Sequence, residues 1–382
     1  MEIHRIVWEK DRLMKRPAPL AKKILLALVS AMITLLMLEA GLRVLAYFED
    51  RKLLVNTRLN DHPVTTGEKV TLRSLFRVHP DPKIIFELKP GMYCEYKKAK
   101  LTTNRHGFRS ADITIEKAPG VFRILGLGDS VMFGEGVSDR ETYLSRLEER
   151  LQEGYPRLKV QTINTAVSGY NTVMQIATLK EKGLKFDPDL VILSFVGNDL
   201  DLPNFIRTTR NFWAPDRSFL FDFLMRKWAG AFDTRTDILC NAPKSEENPF
   251  RFEHEPERVP AEYADMVGLE SFKRAVSELR DLSIEHGFKV LIFSHWKIQT
   301  DVRGVLKDLG FPVIEGYGVL KQYLKDHGMS VEDYRGSPLT ISKEDPHPTA
   351  LSHRLLGDLL FDQLRVHFRE FIPDKFYHQQ KN

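Results

Sequence analysis

From residue 121 onward, apolar runs of strand length alternate with stretches of helical period, and that alternation limits the folds open to the chain. The runs are Phe122–Leu127, Val160–Asn164, Leu190–Phe195, Lys289–Ser294 and Pro312–Glu315. Between the first two, Ser138-x-x-Glu141 forms a capping box, and Leu144, Leu147 and Leu151 make one apolar stripe. A second helix runs to Gly183, a third from about Ala261 to His286 with Gly287 as its stop, and a last one from about Thr349 to Phe368. Strands that alternate with helices predict a doubly wound α/β domain, a parallel five-stranded sheet with helices on both faces. Such a sheet binds ligands outside the carboxyl ends of its strands.

Residues with chemistry in them cluster at those ends. The first strand runs into Gly128-Asp129-Ser130, which lifts a serine off the sheet where a base and backbone N–H groups can converge on it. Asn164-Thr-Ala-Val-Ser-Gly169-Tyr170 follows the second strand, and Val196-Gly197-Asn198-Asp199 follows the third. Glu344-Asp345-Pro346-His347-Pro348 precedes the last helix. A serine hydroxyl is a weak nucleophile until a neighbouring base takes its proton, and histidine is the side chain whose ordinary pKa suits that work. Two prolines stiffen the backbone around His347 and fix where its ring points.

These four ordered blocks, over roughly residues 120 to 370, resemble those of the SGNH (GDSL-type) hydrolase family, in its membrane-anchored bacterial form. The resemblance implies a flavodoxin-like sheet, with Ser130 as nucleophile and His347 as general base. It places the oxyanion among the backbone N–H of Ser130, the backbone N–H of Gly169 and the side-chain amide of Asn198. The sequence departs from the family pattern twice. The carboxylate expected three residues before the histidine is Glu344, with Asp345 two before, and the reading favours Asp345 as the group that orients His347. The third block has Val196 where a glycine is usual. An Asn104-Arg105-His106-Gly107-Phe108-Arg109 segment ahead of the first block is also familiar from anchored members of the family, without a role that the sequence supplies.

Residues Ile24 to Leu38 carry no charge, and a mixed apolar stretch continues to Phe48, with Lys15, Arg16, Lys22 and Lys23 before it. The expected arrangement is a cytoplasmic segment at 1–23 and a single-pass signal anchor at 24–48, its end softened by a Glu39–Arg43 pair. A polar linker and small β-rich appendage follow at 49–118, then the hydrolase-like domain at 119–375, in the periplasm. An insertion at about 202–257 holds Phe205, Phe212, Trp213, Phe219, Phe221, Phe223, Trp228 and Phe232. It reads either as a satellite apolar cluster or as a lid over the site.

The net charge of +4 over 382 residues gives no argument for nucleic acid. No His/Cys/Asp cluster has metal-ligand spacing, Gly126-x-Gly128 is no dinucleotide fingerprint, and no cofactor is required. His353 reads as a helix-surface residue. Cys94 and Cys240 are compatible with one disulfide and equally with two thiols. The expected function is hydrolysis of acyl esters of extracytoplasmic glycans or lipids by a Ser130–His347–Asp345 triad. Polysaccharide O-acyl transfer with a membrane acyl-donor partner is the alternative, and a catalytically silent glycan-binding module a second.

Overall fold

A computed structural model describes residues 20–56, 70–209, 218–228, 237–243, 252 and 255–367. The start of the expected cytoplasmic segment, much of the linker, Phe212, Trp213, Phe232 and the side chain of Trp228 lie outside the described residues. The chain divides into two compact units, Met1–Arg58 with Thr208–Ile238, and Leu59–Arg207 with Leu239–Asn382.

In the first unit, helix α1 (Leu20–Asn56) contains an apolar stretch, Leu20–Leu45, of mean hydropathy 2.2 with none of its side chains buried. At 1.5 Å per residue its 26 residues reach about 39 Å, beyond the roughly 30 Å of a bilayer's hydrocarbon. Glu39 accepts from Arg43 Nε at 2.7 Å, as the four-residue spacing predicts, and also from the backbone N–H groups of Phe219 and Leu220 at 2.9 and 2.7 Å. Its carboxylate thereby caps the free N–H groups at the start of α5 (Phe219–Trp228).

The second unit is built on the sheet. Its strands are β5 (Val121–Leu127), β6 (Lys159–Asn164), β7 (Leu190–Ser194), β10 (Lys289–Ser294) and β11 (Val313–Glu315), all parallel, in the spatial order β11-β10-β7-β5-β6. The flavodoxin-like expectation holds, with the order reversing between β5 and β7. Alternate residues serve opposite faces. Leu190, Ile192, Leu291 and Phe293 join one core cluster with the helices α3 (Tyr143–Gly154) and α9 (Ala350–Val366). Val191, Leu193, Val290 and Ile292 join another with α4 (Thr172–Glu181), α6 (Gly268–His286) and α7 (Thr300–Asp308).

Helix starts differ from expectation for local reasons. The Ser138/Glu141 capping box closes a 3-10 turn, and Thr142 then caps α3 by accepting from Ser145. Gly268, at φ +82°, breaks the stretch expected to run from Ala261, leaving a 3-10 turn over Ala261–Met266. His353 is a correction. It is fully buried on α9, because its ring stacks on Tyr143 at 5.5 Å and its Nδ1 accepts the Tyr143 backbone N–H at 3.1 Å. Cys94 is a buried free thiol, and the side chain of Cys240 lies outside the described residues.

Residues 76–102 supply two antiparallel hairpins, β1 (Phe76–Val78) with β2 (Phe86–Leu88), and β3 (Tyr93–Tyr96) with β4 (Ala99–Thr102). The first is tied to the second sequence block, since Phe86 meets Tyr170 edge-on at 5.3 Å and Tyr170 donates its hydroxyl to the Phe86 carbonyl. Phe205 of the insertion packs edge-on against Phe76 and Phe86 in the same cluster, on β8 (Phe205–Thr209), which pairs with β9 (Asp237–Asn241).

Candidate active site

Ser130 opens a four-residue helix, α2 (Ser130–Phe133), directly after β5. Asp129 is its N-cap and accepts the Val131 N–H at 3.0 Å. Gly126 and Gly128 are required here, since a Cβ at either would stand 2.6 Å from the Met132 side chain. The Ser130 hydroxyl donates to Asp129 Oδ2 at 3.1 Å, and Asn198 Nδ2 donates to the same oxygen at 3.2 Å. Burial pushes the Asp129 carboxyl above its ordinary range. Among the described residues, the backbone N–H groups of Ser130 and Gly169 donate to no protein group.

Asn198 sits in a 3-10 turn, Gly197–Leu200, whose closure depends on Asp199. Its buried carboxylate accepts from Val196 N and Gln175 Nε2, both at 2.6 Å. That side-chain bond holds the turn where Val196 replaces the usual glycine. Gly169 has φ +85°, and a Cβ there would lie 2.7 Å from Asn204, which lines the cavity beside it. Glycine is the residue that both features call for.

His347 and Asp345 lie on a loop pinned by Ile341 N to His347 O (3.0 Å) and Ser342 N to Asp345 O (3.0 Å). Asp345 Oδ1 is 2.5 Å from His347 Nδ1, whereas Glu344 accepts from Ser342 Oγ at 3.0 Å. Burial by itself would lower the His347 pKa, but the Asp345 hydrogen bond and the Glu135 charge outweigh it and raise it. The bond to His347, with help from Lys97, holds Asp345 well below the usual carboxylate range.

Ser130, Asn198 and His347 all line one cavity of about 850 Å³, at the carboxyl ends of the strands beside the β5/β7 reversal. Gly169 is not among its lining residues. His295 and Trp296, just past β10, and Tyr334 form part of its wall. Trp296 and Tyr334 rings lie 4.3 Å apart, and burial pushes His295 down to about 4, so it is neutral. No group of His, Cys, Asp and Glu suited to a metal occurs among the described residues.

Residues 127–283 match the model of the GDSL-like lipase/acylhydrolase family. The chain carries a GDSL-like acylhydrolase domain. Acyl ester hydrolysis is the chemistry of this enzyme, and its sheet is the one that the GDSL resemblance implied. Solved structures similar to the GDSL-like chain include a G-D-S-L-family protein from Desulfitobacterium hafniense, at 13% identity and TM-score 0.36, covering 63% of this chain and 98% of that one. An alpha/beta hydrolase from the metagenome of Lake Arreo is 14% identical with TM-score 0.38, covering 65% and 96%. A variant of an acetyl xylan esterase from Geobacillus stearothermophilus is 14% identical with TM-score 0.37, covering 68% and 99%. No curated protein matches the chain.

Several residues that bear on the site carried no sequence signal of their own. Asp199 was visible only as the residue after Asn198. Arg109 belongs to a segment whose role the sequence did not supply. Its guanidinium donates to the carbonyls of Phe133 (2.7 Å), Gly134 (2.6 Å) and Val137 (2.5 Å) and to Asp139 (2.8 Å). It therefore braces the loop that leaves α2. Asn104 and Gly107 shape the turn that delivers it, through Asn104 Oδ1 accepting from His106 N and Phe108 N and a Gly107 φ of +77°.

Proposed function

We propose that the chain is a membrane-anchored serine esterase that removes acyl groups from extracytoplasmic glycans or lipids. The observation that carries the reading is the convergence of Ser130, Asn198 and His347 on one cavity, with His347 held by Asp345. In the conformation described, the Ser130 proton points to Asp129. Entry of an ester would turn the hydroxyl towards His347, whose Nε2 is the ring atom left to accept its proton. Ser130 Oγ then attacks the acyl carbonyl carbon, and the proton passes to His347. The negative oxygen is met by the N–H groups of Ser130 and Gly169 and by Asn198 Nδ2, donors already fixed before the charge forms. His347 returns the proton to the departing alkoxide, which leaves as the alcohol. A water, deprotonated by His347, attacks the acyl-serine, and collapse releases the acid and restores the hydroxyl.

Asn198 is held through Asp129, so the oxyanion donor and the nucleophile share one anchor. The anchor helix would keep this cavity close to membrane-attached or cell-surface esters.

The test is fluorophosphonate labelling of the full-length chain in detergent, alongside p-nitrophenyl acetate turnover, for wild type, Ser130→Ala and His347→Ala. Loss of labelling and a fall in kcat of about a thousandfold or more in both variants is expected. Labelling that survives in folded Ser130→Ala would overturn the reading. An acylated glycan formed when an acceptor is added would reassign the second step to transfer.

A further inference from the structure

The β3–β4 hairpin turns through Lys97 and Lys98, at φ +50° and +64°, with Tyr96 paired to Ala99. A two-residue turn of this type normally takes Asn or Gly, because the left-handed region costs other residues about 1 kcal/mol or more each. Two adjacent lysines in that conformation call for a reason, and Lys97 supplies one. Its Nζ lies 2.7 Å from Asp345 Oδ2 and forms a second ion pair with Glu135.

Glu135 is itself unusual, a carboxylate only 3% exposed. It is turned inward between Gly134 and Gly136, both at positive φ (+84° and +74°), while a Cβ at Gly136 would strike Ile341 beside the His347 loop. Ser168 Oγ donates to Glu135 Oε1, and Tyr96 OH lies 3.4 Å from Oε2, which is 3.8 Å from His347 Nδ1. Lys97 thus bridges the carboxylate that orients His347 and a second, buried one behind it.

We propose that Lys97 and Glu135 are a positioning pair for His347. The proposal rests on the reading of His347 as the base. Asp345, Glu135 and Lys97 carry a net charge of −1, which becomes zero when His347 is protonated. The cluster is therefore set for the imidazolium that forms as Ser130 attacks. Lys97 keeps the two carboxylates from repelling each other and fixes Asp345 Oδ2, which leaves Oδ1 for the ring. Glu135 supplies the charge that offsets Lys97. The other titratable groups around His347 are Asp129 at the end of β5, His295 after β10, His353 on α9, and Glu332 and Arg335 on the cavity wall. His295 and His353, pushed down by burial to about 4 and about 3, stay neutral through the working range.

The pair predicts shifts of opposite sign. In full-length Lys97→Met the His347 pKa rises, since a positive neighbour is lost and two carboxylates remain. In Glu135→Gln it falls. Each shift should be about one pH unit. The readout is the rate of diethyl pyrocarbonate modification of His347 against pH, followed by mass spectrometry, together with the acid limb of kcat/KM for p-nitrophenyl acetate. Lys97→Met should also lose about tenfold in kcat with little change in KM, and Lys97→Arg should restore most of both. Midpoints for Lys97→Met and Glu135→Gln that coincide with wild type, or that move in the same direction, would overturn the pairing. The modification midpoints need no turnover, so a failure of the esterase reading shows as absent labelling at Ser130 while the opposed shifts persist.

Discussion

At the scale of single residues, the chemistry turns on which carboxylate holds one imidazole. Asp345 Oδ1 lies 2.5 Å from His347 Nδ1, while Glu344, the residue at the more usual spacing, is engaged by Ser342. The two neighbours should therefore separate sharply on mutation. Asp345→Asn is expected to lower kcat by about 10²- to 10⁴-fold, because an amide can hold the wrong tautomer of the ring. Glu344→Gln is expected to stay within about twofold of wild type. Paired p-nitrophenyl acetate kinetics decide it, and the reverse ranking would move the orienting role to Glu344. The pH dependence follows with a definite sign. His347 must be neutral to accept a proton, and its pKa stands above the ordinary 6.5 despite burial, because Asp345 and Glu135 favour the charged ring. Activity is then full above that raised pKa and falls as pH drops through it. An acid limb of kcat/KM centred below 6.5 would contradict the arrangement.

At the scale of elements, what could be read from the sequence was whatever is local. Each of the five strands could be placed within about a residue, because apolar runs bounded by turn residues report their own burial. Ser130, Asn198 and His347 could be singled out because each sits beside a strand end or a helix start with its own signature. The parts that escaped notice are held by distant partners. His353 looked like a surface residue until α9 packed it onto Tyr143, 210 positions away. Lys97 is 248 residues from Asp345, and no periodicity connects them. Arg109 shows the same limit, since its bonds reach the loop after α2 from 24 to 30 residues upstream. That side chain is the brace of the segment carrying Glu135. Arg109→Met should leave three carbonyls and Asp139 without their buried partner and cost about 3 kcal/mol or more. A lowered urea midpoint with unchanged slope would register it. A midpoint equal to wild type would mean that water replaces the guanidinium without loss.

At the scale of the whole molecule, charge and length together set an orientation. The 26 apolar residues of Leu20–Leu45 are long enough to span a bilayer with some tilt. Lys15, Arg16, Lys22 and Lys23 crowd the amino-terminal side of that stretch. Basic residues flanking a span are retained on the cytoplasmic side, so the amino terminus stays in and everything after α1 goes out. Glu39 and Arg43 lie near the outer end of the span, where their mutual pairing and the N–H groups of α5 lessen the cost of charge at that depth. The arrangement predicts the outcome of two reporter fusions. Alkaline phosphatase, which folds only in an oxidising compartment, should be active when joined after residue 382, and green fluorescent protein exported to the same place unfolded should be dark. Substituting Lys15, Arg16, Lys22 and Lys23 with glutamine should weaken the bias and lower the phosphatase signal. A bright fluorescent fusion with inactive phosphatase would put the GDSL-like domain in the cytoplasm. Its esters would then have to be sought there, with the site chemistry untouched.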